Sequence, residues 1–220
     1  MKRITTTALG ITFLLGCLVP SVAIAHQPRV VEKDTDIVEI QHPDISQAFY
    51  GTLEGKPQLF QFSVENELPF YMNVLVPTTT EGKRDVSATL YDTAYPTKPL
   101  ATIGGESGTW TIFHEEFGRD DYYKGSEFRA TLTKGTYAVR VESTKNDSLY
   151  TLAVGEKESF PVSEILKSFV TLPEIKSFYF GKPFYAAFAT PFLAGPLFIT
   201  IAVLALILYG WSHLRKTRRK

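Results

Sequence analysis

The sequence predicts an all-β fold: an antiparallel β-sandwich, jelly-roll-like in its strand spacing, followed by a short amphipathic helix and one transmembrane helix. Three observations predict it. Between residues 37 and 156, short runs alternate apolar and polar residues or are rich in aromatics and valine, with glycine, proline and asparagine between them. Near the carboxyl end a solidly apolar run is followed at once by basic residues. At the amino end two basic residues precede a shorter apolar run.

Residues 1–25 read as an export signal. Lys2 and Arg3 precede the apolar stretch Ala8 to Val19, no acidic residue occurs before Glu32, and Ala23-Ile24-Ala25 supplies the small residues that a signal peptidase needs. Cleavage after Ala25 leaves His26 as the amino terminus of a protein without cysteine. Disulfides are then excluded, and stability must come from an apolar core. The rival cut lies before Cys17, where Leu14-Leu15-Gly16-Cys17 resembles a lipoprotein box; Leu15 is bulky for that pattern, and Leu18, Val19 and Pro20 stay apolar. Residues 26–36 follow as an N-terminal extension.

Strands are expected at Ala48–Leu53, Gln58–Val64, Phe70–Val76, Val86–Asp92, Trp110–Phe113, Glu127–Thr133, Thr136–Ser143 and Leu149–Gly155, making a sandwich of residues 37–156. Gly55, Pro57, Gly82, Gly104, Gly105 and Gly135 fall between them and punctuate the turns. Within Thr136–Ser143, Tyr137, Val139 and Val141 point to one face and Arg140 and Glu142 to the other. The succession GTLEG, LFQFSV, VSATLYD, LTKGTYAVRVES and LYTLAVG resembles the bacterial pre-peptidase C-terminal type of β-sandwich over roughly half the chain, best from Leu132 to Val154. That resemblance implies an appended, non-catalytic module of a kind that sometimes binds calcium. The excursion Ile112 to Glu127 departs from the pattern, so no ligand residue is carried across.

Residues 157–182 change period. Val162, Ile165, Leu166, Phe169 and Val170 recur at helical spacing, with Pro161 suited to a first turn, Ser159 to a cap and Pro173 to the end. Such a helix packs on the sandwich, rests on a bilayer or serves as a partner-binding stalk. Residues 190–211 form the expected span: Pro191 to Trp211 is 21 residues, which at about 1.5 Å each crosses the roughly 30 Å hydrocarbon core. Tyr209 and Trp211 suit an interface, and the basic tail 212–220, with Arg215, Lys216, Arg218, Arg219 and Lys220, marks the cytoplasmic side. The expected topology is single-pass type I, with the sandwich in the periplasm or at the cell exterior.

The chain carries 23 basic and 23 acidic residues. Two basic residues lie in the leader and five in the tail, so the exported part holds 16 against 23 and is acidic. Nucleic acid, which needs a basic face, is excluded as a partner.

No G-x-S-x-G, H-E-x-x-H, C-x-x-C, phosphate-binding loop or dinucleotide motif occurs, so the sequence reads as a non-catalytic module without cofactor, and a hydrolase ranks last. Two metal alternatives remain. A free α-amine and ring at His26 bind copper when a second imidazole, from His42 or His114, completes the site. Glu115, Glu116, Asp120 and Asp121 supply oxygens of the kind calcium takes. For a protein or glycan partner, the candidate surface is the aromatic group Trp110, Phe117, Tyr122 and Tyr123, with Phe113 and Phe128 nearby.

Overall fold

The computed structural model describes residues 26–79 and 81–217. The expected leader with its two candidate cleavage sites, and the last three residues of the basic tail, lie outside the described residues.

The chain folds as a two-sheet β-sandwich followed by a helical layer and a long terminal helix. Its strands are β1 (Gln27–Val30), β2 (Ile37–Glu39), β3 (Gln47–Thr52), β4 (Gln58–Val64), β5 (Leu68–Pro77), β6 (Ser87–Asp92), β7 (Pro99–Gly104), β8 (Thr111–Glu115), β9 (Asp120–Leu132), β10 (Gly135–Glu142) and β11 (Leu149–Val154). One sheet runs β1-β3-β11-β5-β9-β8 and the other β2-β4-β10-β6-β7. After them come helix α1 (Val162–Glu174), a π-helical turn (Ile175–Tyr179), a 3-10 helix (Phe184–Ala189) and helix α2 (Pro191–Thr217).

Alternation makes the inter-sheet core. In β4 the inward residues Phe60, Phe62 and Val64 are buried while Leu59, Gln61 and Ser63 face out, and β10 does the same with Tyr137, Val139 and Val141. Phe62 stacks between Phe70 and Tyr137, at 4.9 and 5.6 Å between ring centres, and Phe60 meets Phe49 edge-on at 5.4 Å.

β5 and β11 are buried on both faces over most of their length. Phe70, Met72, Val74 and Val76 of β5 enter the inter-sheet core, while Tyr71 and Leu75 enter a second apolar cluster on the outer face of the six-stranded sheet. Leu149 and Ala153 of β11 join that cluster, and α1, the π-turn and the 3-10 helix cover it through Leu172, Ile175, Tyr179, Phe180 and Ala187. The sheet is therefore sandwiched itself, between the other sheet and the helical layer.

The structure departs from the sequence reading at several places. Residues 26–36 hold a strand, because β1 pairs with β3 in parallel, and β2 likewise runs parallel to β4, so the sandwich is not antiparallel throughout. The connection from β1 to β3 passes through β2 in the opposite sheet, long enough for the crossover that a parallel pair requires. The excursion Ile112 to Glu127 is the β8–β9 hairpin. Strand β9 slips register against β5 between Asn73 and Leu75, where buried Asn73 donates its amide protons to the Gly125 and Ser126 carbonyls at 3.0 Å. Ser159 does not cap α1; Pro161 holds that position, and the Ser159 carbonyl accepts from Gln27 Nε2 at 2.5 Å. Nor does Pro173 end the helix. It lies within α1, and the chain continues through the π-turn, closed by Phe180 N–H on the Ile175 carbonyl at 3.2 Å.

The glycine that releases the chain from β11 to this layer is conformationally required. Gly155 has φ +69°, and a Cβ there would lie 2.2 Å from the Ile45 carbonyl oxygen.

Phe60 is fully buried and Leu59, its neighbour, is 38% exposed. Phe60→Ala is expected to destabilise the sandwich by about 3–5 kcal/mol, and Leu59→Ala to stay within about 0.5 kcal/mol of the parent. Chemical denaturation of the detergent-solubilised chain, followed by near-ultraviolet circular dichroism, measures both.

Candidate functional site

The helical layer and the sheet face beneath it gather the buried charged residues among those described, Asp120, Glu164 and Lys176. The β8–β9 turn is first tied to itself, since the Glu115 carboxylate accepts from the Phe117 and Gly118 amides at 2.8 and 2.5 Å. Burial still raises that carboxyl above its ordinary value, and the two amide bonds oppose the rise. Lys176, in the π-turn, then enters from the helical layer and donates to Asp120 Oδ2 and the Gly118 carbonyl. Both ionic partners are buried, Lys176 at 2% and Asp120 at 3% exposure. Lys182 donates to the other Asp120 oxygen at 2.7 Å and to the Arg119 carbonyl at 3.1 Å. Burial lowers the Lys176 ammonium and the Asp120 bond opposes it; both lysines also lie over the Phe180 ring.

Beside this clamp the outer sheet face is lined by tyrosines. Tyr122 donates to Tyr50 at 3.3 Å, Tyr50 meets the Tyr179 ring edge-on at 5.1 Å, and the Tyr179 and Thr151 hydroxyls share a hydrogen bond of 2.8 Å. Burial raises all three phenols above their ordinary range, so they act as neutral hydrogen-bonding groups.

A cleft of about 410 Å³ opens between the β1–β2 connection, β3 and the π-turn. Val31, Ile175 and Phe178 give it apolar walls; Lys33, Glu54 and Glu174 stand among its charged residues. Lys33 and Glu54 pair at 2.9 Å, and Phe178 is 84% exposed. Its volume falls in the range of small-ligand and side-chain pockets.

Helix α1 meets the sheet with its polar side. Its buried residues are Glu164, Ser168 and Leu172. Arg29 of β1 reaches Glu164 at 2.6 Å, Lys167 adds a bond of 3.0 Å, and Ser168 Oγ donates to the Glu164 carbonyl at 2.8 Å. Burial pushes the Glu164 carboxyl up, but the Arg29 and Lys167 bonds outweigh it and hold the group below its ordinary value. Val162, Leu166 and Val170, three of the five residues of the expected apolar stripe, face outward at 71%, 63% and 72% exposure.

The residues singled out from sequence have other neighbours than expected. Half-buried His26 shares a 2.6 Å hydrogen bond between Nδ1 and Ser46 Oγ. His42 is exposed at φ 54° on a separate cleft beside β1 and α1. His114 is exposed and bonded to Asp121 at 2.7 Å, which raises its ring above the ordinary value. Among the described residues no three His, Cys, Asp or Glu side chains form a metal-binding group. Of the acidic quartet, Asp120 is taken by the two lysines, Glu115 by its own turn and Asp121 by His114, while Glu116 is exposed. The Ser46–His26 pair has the contact of a nucleophile and base, but Ser46 is 1% exposed and the space beside the ring is about 40 Å³, too small for a substrate.

Of the aromatic group, one ring is buried and the others are partly exposed. Tyr122 is 2% exposed beneath Phe180, and Trp110, Phe113, Phe117, Tyr123 and Phe128 are half-buried. Trp110 packs against the inter-sheet core and donates to the Gly105 carbonyl at 3.1 Å, and Arg84 lies 5.0 Å over the Tyr123 ring. The Lys176–Asp120 clamp escaped the sequence reading because its partners stand 56 positions apart. A signal for the helical cover was present: FYMNVLV and LYTLAV are apolar runs broken only by Asn73 and Thr151, as strands covered on both faces require.

No family model matches the chain, and no curated protein does. Among solved structures, the chain is similar to the pre-peptidase C-terminal domain of a collagenase from Bacillus anthracis, at 16% identity and a TM-score of 0.36 over 56% of this chain and 99% of that one. It is also similar to a periplasmic inhibitor of g-type lysozyme from Aeromonas hydrophila, at 11% identity and TM-score 0.33 over 58% and 97%. A third is CorA, a surface-associated copper-binding protein of Methylomicrobium album BG8, at 8% identity and TM-score 0.29 over 59% and 100%. These are loose likenesses of chain path.

Two outcomes follow from the site. Asp120→Ala, which strands a buried ammonium, is expected to cost about 3–5 kcal/mol, with Lys176→Met in the same chain restoring much of it; denaturation midpoints of the single and double variants measure this. Burial, aided by Lys124 and opposed by Glu156, pushes the His26 ring down from 6.5 to about 4. Between those values the unfolded chain binds more protons on this ring than the folded one, so stability falls as the pH is lowered through the window. Glu115, raised by burial, works in the opposite direction in both parent and variant. His26→Gln is therefore expected to flatten the stability profile from pH 6.5 to 4 relative to the parent, and parallel profiles would reject the assignment.

Proposed function

We propose that this protein is a single-pass, membrane-anchored extracytoplasmic β-sandwich that acts as a non-catalytic binding or complex-forming module. One observation carries the anchoring. The apolar stretch Leu193–Ser212 of α2 is 20 residues long and 6% buried. A core helix of comparable length would be covered by its own protein, whereas here Phe198, Ile201, Leu204, Leu208 and Trp211 are all more than half exposed. Water is a poor solvent for such a surface and a bilayer a good one. The basic residues that follow orient it with the sandwich outside.

The binding reading is supported by the cleft beside the π-turn. Its apolar walls, charged rim and exposed Phe178 are suited to a side chain or short segment of a protein partner, with a glycan the other candidate. Membrane attachment would hold the cleft at a constant height, because the anchor begins in packed structure: Leu193 is fully buried in the helical layer.

Protease added to intact cells or spheroplasts is expected to remove the sandwich and spare a tag on the basic tail. A protected sandwich would reverse the orientation. A photo-crosslinking residue in place of Phe178 is expected to trap a discrete extracytoplasmic partner in the host, and the absence of any adduct would remove the cleft as the binding surface.

A further inference from the structure

Helix α1 is amphipathic in the reverse of the usual sense for a helix lying on a sheet. At about 100° per residue, Glu164 and Ser168 point at the sandwich, Ile165 and Phe169 come next around the helix, and Val162, Leu166 and Val170 follow beyond them. The intermediate flank is the one in contact with the 3-10 helix, where the Phe169 and Phe188 rings lie 6.4 Å apart. Going around α1, the order is therefore sandwich, the chain leading to the anchor, and then the exposed apolar stripe. The 3-10 helix adds Phe184 and Tyr185, 61% and 63% exposed.

The length of the anchor sets the height of this layer. With Tyr209 and Trp211 at one interface, the helix reaches back from Trp211 to Leu193 over about 27 Å, nearly the full hydrocarbon thickness of roughly 30 Å. Leu193 is fully buried among residues of the helical layer, and Thr190, just before it, is 1% exposed, with its hydroxyl on the Ala187 carbonyl at 2.6 Å. No tether separates the layer from the span. The layer must sit at the outer edge of the hydrocarbon.

We infer that the stripe Val162, Leu166 and Val170, together with Phe184 and Tyr185, rests in the outer interfacial zone of the bilayer, so that the sandwich is tilted onto the membrane through α1 rather than held above it. The inference rests on the anchoring reading above. Lys167, 65% exposed on the next face of α1, stands at the height of lipid phosphates. An interfacial helix of this kind buries its apolar side about 5–10 Å into the boundary between headgroups and acyl chains.

The full chain, carrying Cys17→Ser, is reconstituted into phosphatidylcholine–phosphatidylglycerol vesicles and labelled with an environment-sensitive fluorophore at one of four single cysteines: Leu166→Cys or Val170→Cys in the stripe, Leu206→Cys in the anchor, and Ser63→Cys on the far sheet. Nitroxide-bearing lipids are the quencher. The expected result is quenching at Leu206, Leu166 and Val170 and none at Ser63, with shallow nitroxides more effective than deep ones at the two stripe positions. Quenching at Leu206 with Leu166 and Val170 behaving like Ser63 overturns the inference and leaves the anchor standing. So does shielding of both stripe positions from lipid and aqueous quenchers alike, which would mean that a protein, such as a second copy of this chain, covers them. An unquenched Leu206 overturns the anchor and the inference together.

Discussion

The buried contact between Lys176 and Asp120 is the constraint on which the outer half of this molecule depends. An ammonium and a carboxylate taken out of water cost several kcal/mol each, and they are tolerated only because each answers the other and the remaining bonding capacity is filled. Gly118 and Arg119 lend carbonyls and Lys182 occupies the second carboxylate oxygen. The pair can form only when the π-turn lies across the β8–β9 turn. It thereby specifies where the helical layer sits on the sheet, a role that uniform apolar packing would fill less selectively.

From that placement the rest follows. With Lys176 docked, Ile175, Tyr179 and Phe180 cover Tyr50, Tyr122 and Thr151, and the middle strands β5 and β11 are closed on their second face. Upstream, Arg29 holds Glu164 and fixes the rotation of α1. A polar residue buried with its partner turns the helix so that Val162, Leu166 and Val170 must face outward. Exposed apolar patches of this kind mark surfaces that meet another apolar phase or partner, and this one lies beside the apolar terminal helix α2. The π-turn reconciles the two ends of the layer, since one wider turn shifts the phase between α1, which buries Glu164 and Ser168, and Ile175–Tyr179, which buries Ile175, Lys176 and Tyr179.

The chain's acidity and its clamp are related. Asp120 and Glu115 lie in the acidic run that reads, as a string, like a cation site. In three dimensions the cations are the protein's own lysines, and His114 takes Asp121. Asp120 and Glu115 are thus engaged in holding the fold, and half-buried His26 is tied to Ser46.

Much of this was determined by the sequence alone. Strands with one wet face announce themselves by alternation, as in Gln58–Val64 and Gly135–Glu142, and an apolar stretch as long as Leu193–Ser212 followed by basic residues needs no tertiary information to be recognised. Edge strands β1 and β2 were invisible because their four and three residues are too short to establish a period, and β7 because prolines and glycines surround it. Only the tertiary structure decided which way α1 turns, that Tyr122 is covered, and that Asp120 serves Lys176. Periodicity records that a face is buried or polar, but not what stands opposite it. A helix with both an apolar stripe and a buried glutamate has two orientations compatible with its sequence, and the choice was made by Arg29, 135 residues away along the chain and 2.6 Å away in space.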